Sequence, residues 1–72
     1  MKVNVTIEVP DRLLNHITKD VLWNDFSDER EVRSFIIGIV LDDYEEFYFV
    51  KEEICEEVLK RAKEKGFRLY KR

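Results

Sequence analysis

The chain has 72 residues, of which 40% are charged and 44% are hydrophobic, and its formal net charge at pH 7 is −3. A core of this size supplies only about 3–5 kcal/mol, so such domains usually add disulfides, a metal or a partner subunit. A lone cysteine, Cys55, and a lone histidine, His16, exclude an intrachain disulfide and a Cys/His zinc site. We therefore expect a single intracellular domain, residues 1–72, stabilised as a homodimer.

The charge is unevenly distributed along the chain. Residues 1–50 carry five Lys/Arg against eleven Asp/Glu, a net −6, whereas residues 51–72 carry eight against five, a net +3. The uneven charge predicts that any nucleic acid would contact the N-terminal strand or the basic C-terminus. No segment approaches the ~20 apolar residues of a membrane span, and none resembles a signal peptide. We expect a protein of the cytoplasm or nucleoid, with no membrane partner.

Residues 2–9 alternate between apolar and polar side chains. Such alternation is typical of a half-buried strand, because successive side chains point to opposite faces. The inner side would carry Val3, Val5, Ile7 and Val9, and the outer side Lys2, Asn4, Thr6 and Glu8. Backbone N–H and C=O groups need partners, and no second strand of equal clarity follows.

The period becomes helical after Pro10, which predicts a first helix over residues 11–23. Its apolar stripe contains Leu13, Leu14, Ile17, Val21 and Leu22. His16 falls on the polar side, which predicts a surface histidine. We expect Trp23, at the end of the helix, to be anchored in the core.

A second helix is predicted over residues 28–46, with Ser27 as its N-cap and acidic residues in its first turn. Gly38 costs about 1 kcal/mol relative to Ala, which a close helix crossing or a kink would explain. Because the apolar residues cover more than one face, we expect a second copy to bury this helix. They are Val32, Phe35, Ile36, Ile37, Ile39, Val40 and Leu41.

The segment "FYFV" at residues 47–50 is either a β-leaning break or a hinge in one long helix. A third helix follows over residues 50–65, with Val50, Ile54, Cys55, Val58, Leu59 and Ala62 on one stripe. Gly66 is a typical C-terminal stop. On this stripe Cys55 is expected to act as a small hydrophobe; the alternatives are a disulfide between subunits or a reactive thiol.

Residues 66–72 form a basic tail that mixes aromatic and cationic side chains. Phe67 and Tyr70 alternate with Arg68, Lys71 and Arg72, a composition that suits single-stranded nucleic acid. A frayed terminus, or aromatic rings docked on the third helix, is the alternative prediction.

The order of strand, prolyl turn, helix, polar turn and apolar helix resembles the ribbon–helix–helix family of DNA-binding proteins. The resemblance covers residues 2–46 and rests on "VNVTIEVPDRLLNHI" and "SDEREVRSFIIGIVLDDY". It implies a mostly α fold with one N-terminal strand, which pairs antiparallel with its twin in a homodimer. The third helix would be an extension. The implied dimer interface comprises Val3, Val5, Ile7, Val32, Phe35, Ile36, Ile39 and Val40.

The resemblance also implies where DNA would bind. Lys2, Asn4 and Thr6 would read base edges in the major groove, although the solvent face of a strand is the alternative reading. Backbone N–H groups at Ser27 and Asp28 would hold a phosphate. The third helix and the tail are additions to the family plan. We expect Arg68, Lys71 and Arg72 of the tail to add phosphate contacts; the alternatives are that these additions wrap the dimer or bind a second protein.

Two features depart from the family pattern. Asp25, Asp28, Glu29 and Glu31 crowd the expected phosphate site, and the turn between the first two helices lacks glycine. Since phosphate neutralisation supplies most non-specific affinity, a second hypothesis is a dimeric protein-interaction scaffold that uses the third helix and acidic faces. No nucleophile–base pair, Gly-rich phosphate loop or metal-ligand spacing is present in the sequence. We therefore predict no enzymatic activity, cofactor or small-molecule substrate.

Overall fold

The computed structural model describes residues 8–70, which form a small all-α domain of three helices. These are α1 (Asp11–Leu22), α2 (Glu29–Asp43) and α3 (Lys51–Glu64), with a 3-10 helix over Glu45–Val50 between α2 and α3. The described residues contain no strand. The predicted strand over residues 2–9 lies outside them, apart from its last two residues.

Helix α1 begins directly after the proline that the sequence placed at its start. Pro10 is the N-cap, and its carbonyl accepts hydrogen bonds from Leu13 N at 3.1 Å and Leu14 N at 3.3 Å. Thr18 is polar but buried. Its burial is tolerated because its hydroxyl donates a hydrogen bond to the Leu14 carbonyl at 2.7 Å. The buried face comprises Leu13, Leu14, Ile17, Thr18 and Val21.

The end of α1 differs from the prediction. Trp23 is 79% exposed, so the expectation of a core anchor is wrong, and Leu22 is exposed as well. The aromatic anchor is instead Phe26, in the turn after α1. Its ring centroid lies 5.2 Å from that of Phe35 and 6.3 Å from that of Phe67. Helical periodicity ends at the turn after α1, so it could not indicate whether Trp23 or Phe26 is buried in the core.

Helix α2 is covered on its inner side by the chain itself. Val32, Ile36 and Val40 are fully buried in the core shared with α1 and α3. The expectation that only a second copy could bury them is therefore wrong, because α3 supplies the missing mass. Of the α2 residues predicted for a dimer interface, Phe35 and Ile39 are only partly buried and retain surface for a partner.

The predicted second helix, residues 28–46, is shorter in the structure. Tyr44 leaves the helical conformation, with φ −135° and ψ 46°. Its carbonyl then accepts a hydrogen bond from Phe47 N at 2.8 Å, which helps to start the 3-10 helix. The "FYFV" segment thus belongs to neither a strand nor one continuous α-helix, and it turns the chain so that α3 can pack back on α2.

Helix α3 buries the whole stripe that periodicity predicted, including Cys55, with Val50 just before its first residue. Two salt bridges also join the helices. Arg33 on α2 contacts Glu52 at 2.8 Å, and Arg61 on α3 contacts Asp11 on α1 at 3.0 Å. Exposed pairs of this kind each contribute less than about 1 kcal/mol, so the apolar stripe holds α3 in place.

A Schellman motif ends α3, as the glycine in the sequence predicted. Gly66 has φ 91°, its N–H donates to the Lys63 carbonyl at 3.1 Å, and Phe67 N donates to the Ala62 carbonyl at 3.0 Å. We expect Gly66→Ala to lower the free energy of unfolding by about 1–2 kcal/mol, because a β-carbon is disfavoured in this left-handed conformation. Urea unfolding would measure this. Glu64→Ala is the control, since Glu64 is exposed in the last turn of α3 and has ordinary helical geometry; an equal loss in both variants would contradict the assignment.

Candidate functional site

The predicted DNA-contacting residues are divided between described and undescribed parts of the chain. Lys2, Asn4 and Thr6 lie outside the described residues, as do Val3, Val5, Ile7, Lys71 and Arg72. Ser27 and Arg68 are described and lie on different elements: Ser27 precedes α2, and Arg68 follows α3. The structure therefore bears on the proposed phosphate sites and not on the base-reading strand.

Carboxylates of the chain already occupy the N-terminus of α2. Asp28, not Ser27, is the N-cap, because its side chain accepts a hydrogen bond from Glu31 N at 2.9 Å. Glu31 reaches back and accepts from Ser27 N at 3.2 Å and from the Ser27 hydroxyl. This reciprocal arrangement resembles a capping box.

This capping arrangement changes what the N-terminus of α2 can bind. A phosphate would have to displace the Glu31 carboxylate from Ser27 and approach Asp28 and Glu29, which are both exposed. Like charges at such short range oppose that approach, even though the helix dipole favours an anion. The spacing of Asp28 and Glu31, three residues apart, was the signal in the sequence that could have indicated an internally satisfied cap.

The outer side of α2, opposite its buried stripe, is the second surface of interest. Ser34 and Leu41 are exposed there, with Leu41 at 50%, and Ile37 is partly buried at the margin. A β-carbon built on Gly38 would meet nothing within 4 Å, and α2 runs unbroken through this residue. Nothing in the described chain therefore requires glycine at this position.

The tail forms a third surface with the end of α1. Tyr70 N donates to the Phe26 carbonyl at 2.8 Å, and the partly buried Phe67 packs on the Phe26 ring. Residues 67–70 thus dock on the turn between α1 and α2, which neither tail prediction anticipated. An open groove of about 570 Å³ results, lined by Leu22, Asn24, Asp25, Lys65, Gly66, Phe67, Arg68, Leu69 and Tyr70.

Basic side chains at the end of α3 fall into two groups. Arg61 is engaged, with Glu57 at 2.9 Å, Asp11 at 3.0 Å and Asn15 at 2.9 Å. Hydrogen bonds to Glu57 and Asp11 raise the pKa of Arg61 above its ordinary value. Within residues 8–70, no salt bridge involves the other four bases of this region, which are Lys60, Lys63, Lys65 and Arg68.

His16 and Cys55 do not form a catalytic pair. His16 is exposed, with Nδ1 2.7 Å from the Tyr44 hydroxyl and Nε2 3.5 Å from Asp20. Cys55 is fully buried, and burial raises the pKa of its thiol to about 11. Over residues 8–70, no three His, Cys, Asp or Glu side chains are grouped as metal ligands.

No helix within this part of the chain is both long and apolar enough to cross a membrane. The chain matches no known family model, no curated protein and no solved structure.

Proposed function

We propose that the chain is a subunit of a ribbon–helix–helix homodimer that regulates transcription by binding duplex DNA. The main support for the dimer comes from the outer side of α2, where Gly38 has open space and Leu41 is half exposed. A glycine in a helix interior costs stability, and close approach of a second helix would account for it. Support also comes from the helix order, since α1 starts directly after Pro10 and a short turn leads into α2.

In this dimer the paired strands would enter the major groove and present Lys2, Asn4 and Thr6 to base edges. The carboxylates at the start of α2 weaken any phosphate contact at Ser27. Phosphate binding would therefore depend on Arg68, Lys71 and Arg72 in the tail. Because non-specific affinity comes from phosphate neutralisation, we expect weak binding to random duplexes and selectivity that depends on the strands.

Selection of duplexes from a random library tests the DNA proposal. We expect the wild-type protein to enrich a two-fold symmetric sequence, and the triple variant Lys2→Ala, Asn4→Ala, Thr6→Ala to lose the enrichment. Each lost base contact costs about 1–3 kcal/mol. The absence of any enriched sequence at low salt would contradict the proposal. The variant Arg12→Ala, on the exposed side of α1, serves as a control for loss of one positive charge.

Gly38→Ala tests the dimer separately from DNA binding. In an isolated chain the substitution fills open space and should raise helix stability by about 1 kcal/mol. If a second α2 crosses at Gly38, the added methyl group should weaken the dimer by about tenfold or more. Sedimentation equilibrium would measure the dimer. Higher stability with an unchanged association constant would contradict the crossing.

A protein-interaction scaffold without duplex binding is the second candidate function. It is favoured by the capping of α2 with Asp28 and Glu31, which places negative charge where DNA would approach. The two candidates differ in their response to the triple variant at Lys2, Asn4 and Thr6. A scaffold should retain its partner in that variant, whereas a DNA reader should lose its target.

A further inference from the structure

We infer that the groove between the end of α1 and residues 65–70 binds an acidic, amphipathic segment of another protein. This site goes beyond DNA recognition: it uses none of the strand residues and shares only Arg68 with the proposed phosphate contacts. An exposed apolar surface, a preformed shape and a positively charged rim support this site.

The groove exposes apolar side chains that the core does not use. Leu22, Leu69 and Tyr70 are 38%, 40% and 59% exposed. These three side chains lie around one opening of about 570 Å³, within the range of pockets that hold ligands or anchoring side chains. An apolar side chain of a partner would remove this surface from water.

The groove is preformed in the free protein. The Schellman motif at Gly66 directs the chain away from α3, and the hydrogen bond from Tyr70 N to the Phe26 carbonyl holds the tail across the turn. Phe67 adds an apolar contact with Phe26. Since these contacts order the tail in the free protein, binding would cost less conformational entropy.

The charge of the rim indicates which segment fits. Lys65 and Arg68 line the groove, and Lys19 lies beside Leu22 and Lys65 in the adjoining hollow. None of the three forms a salt bridge within residues 8–70. Asp25 is the acidic residue among those lining the groove. The three cations against one acid give the rim a positive excess, which suits an acidic segment.

The lining favours a protein segment over single-stranded nucleic acid. Leu22 and Leu69 supply aliphatic surface, whereas stacking of bases requires aromatic faces. The exposed Trp23 is not part of the lining, which leaves Tyr70 as its most exposed ring.

The test is fluorescence anisotropy of the full chain with a labelled helical peptide of Leu, Glu and Ala, whose leucines are spaced three and four residues apart. We expect saturable binding that weakens with salt, and a loss of about tenfold or more in the variant Lys65→Glu, Arg68→Glu. Leu69→Ser should weaken binding without changing the charge. The matched control is Lys60→Glu, Lys63→Glu, which makes the same charge change on the α3 surface facing a different hollow; it should change affinity by less than about twofold.

Three results would overturn the inference. The first is no binding of the acidic peptide at low salt, with circular dichroism showing all proteins folded. The second is tighter binding of an oligothymidine than of the peptide, which would assign the groove to nucleic acid. The third is self-association of the wild-type chain that Lys65→Glu, Arg68→Glu abolishes, which would assign the groove to a second copy. The DNA selection is independent of all three, because the strand variant leaves the groove intact.

Discussion

Ile36→Ala is expected to remove about 2–5 kcal/mol from the free energy of unfolding. Ile36 is fully buried at the centre of the inner stripe of α2, between Val32 and Val40. Truncation would leave a cavity that the neighbouring helices can fill only in part. Because domains of this size have little stability to lose, urea unfolding should show a large fall in the transition midpoint.

Leu41→Ala is the matched control for Ile36→Ala. Leu41 lies on the same helix but is half exposed, so its truncation should cost the isolated chain well under half as much. The loss at Ile36 should also be independent of protein concentration, because the chain buries this residue itself. A loss that grew on dilution would contradict a core contained in one chain, since only a core shared between subunits depends on association.

The buried thiol of Cys55 should make stability fall at alkaline pH. Burial raises its pKa from an ordinary 9.0 to about 11, so the folded state opposes formation of the thiolate. The unfolded chain ionises first. The stability associated with the neutral, buried thiol is therefore fully present below pH 9 and is lost as pH rises through 11. The free energy of unfolding falls by about 3 kcal/mol in total.

Unfolding free energies measured across this pH range, for the wild type and for Cys55→Ala, would isolate the contribution of the thiol. Tyrosines and lysines titrate in both proteins, so the difference between the two curves reports Cys55. We expect the wild-type advantage to shrink above pH 9. Parallel curves, or rapid alkylation of the native thiol at neutral pH, would contradict the burial of Cys55.

The sequence alone determined that there are three helices, and local end signals placed the start of α1 and the end of α3. The predicted N-cap and C-terminal end of α2 were wrong. Pro10 starts α1, Gly66 ends α3, and the stripe from Ile54 to Ala62 is buried as its spacing predicted. These features depend on residues close together in the chain, where propensity and spacing act directly. The predicted strand and its base-reading side chains lie outside the described residues, so that part of the candidate site stays a prediction.

Only the tertiary structure decided which surfaces remain available for partners. An apolar helix such as α2 can be buried by its own chain or by a second copy. In this structure α3 packs on α2, so Val32, Ile36 and Val40 are buried within one chain. The capping of α2 by Asp28 and Glu31, and the groove that Leu22 shares with Leu69, likewise join residues whose side-chain positions periodicity does not define. Periodicity describes one helix at a time, whereas an exposed surface depends on how all the helices and the tail pack together.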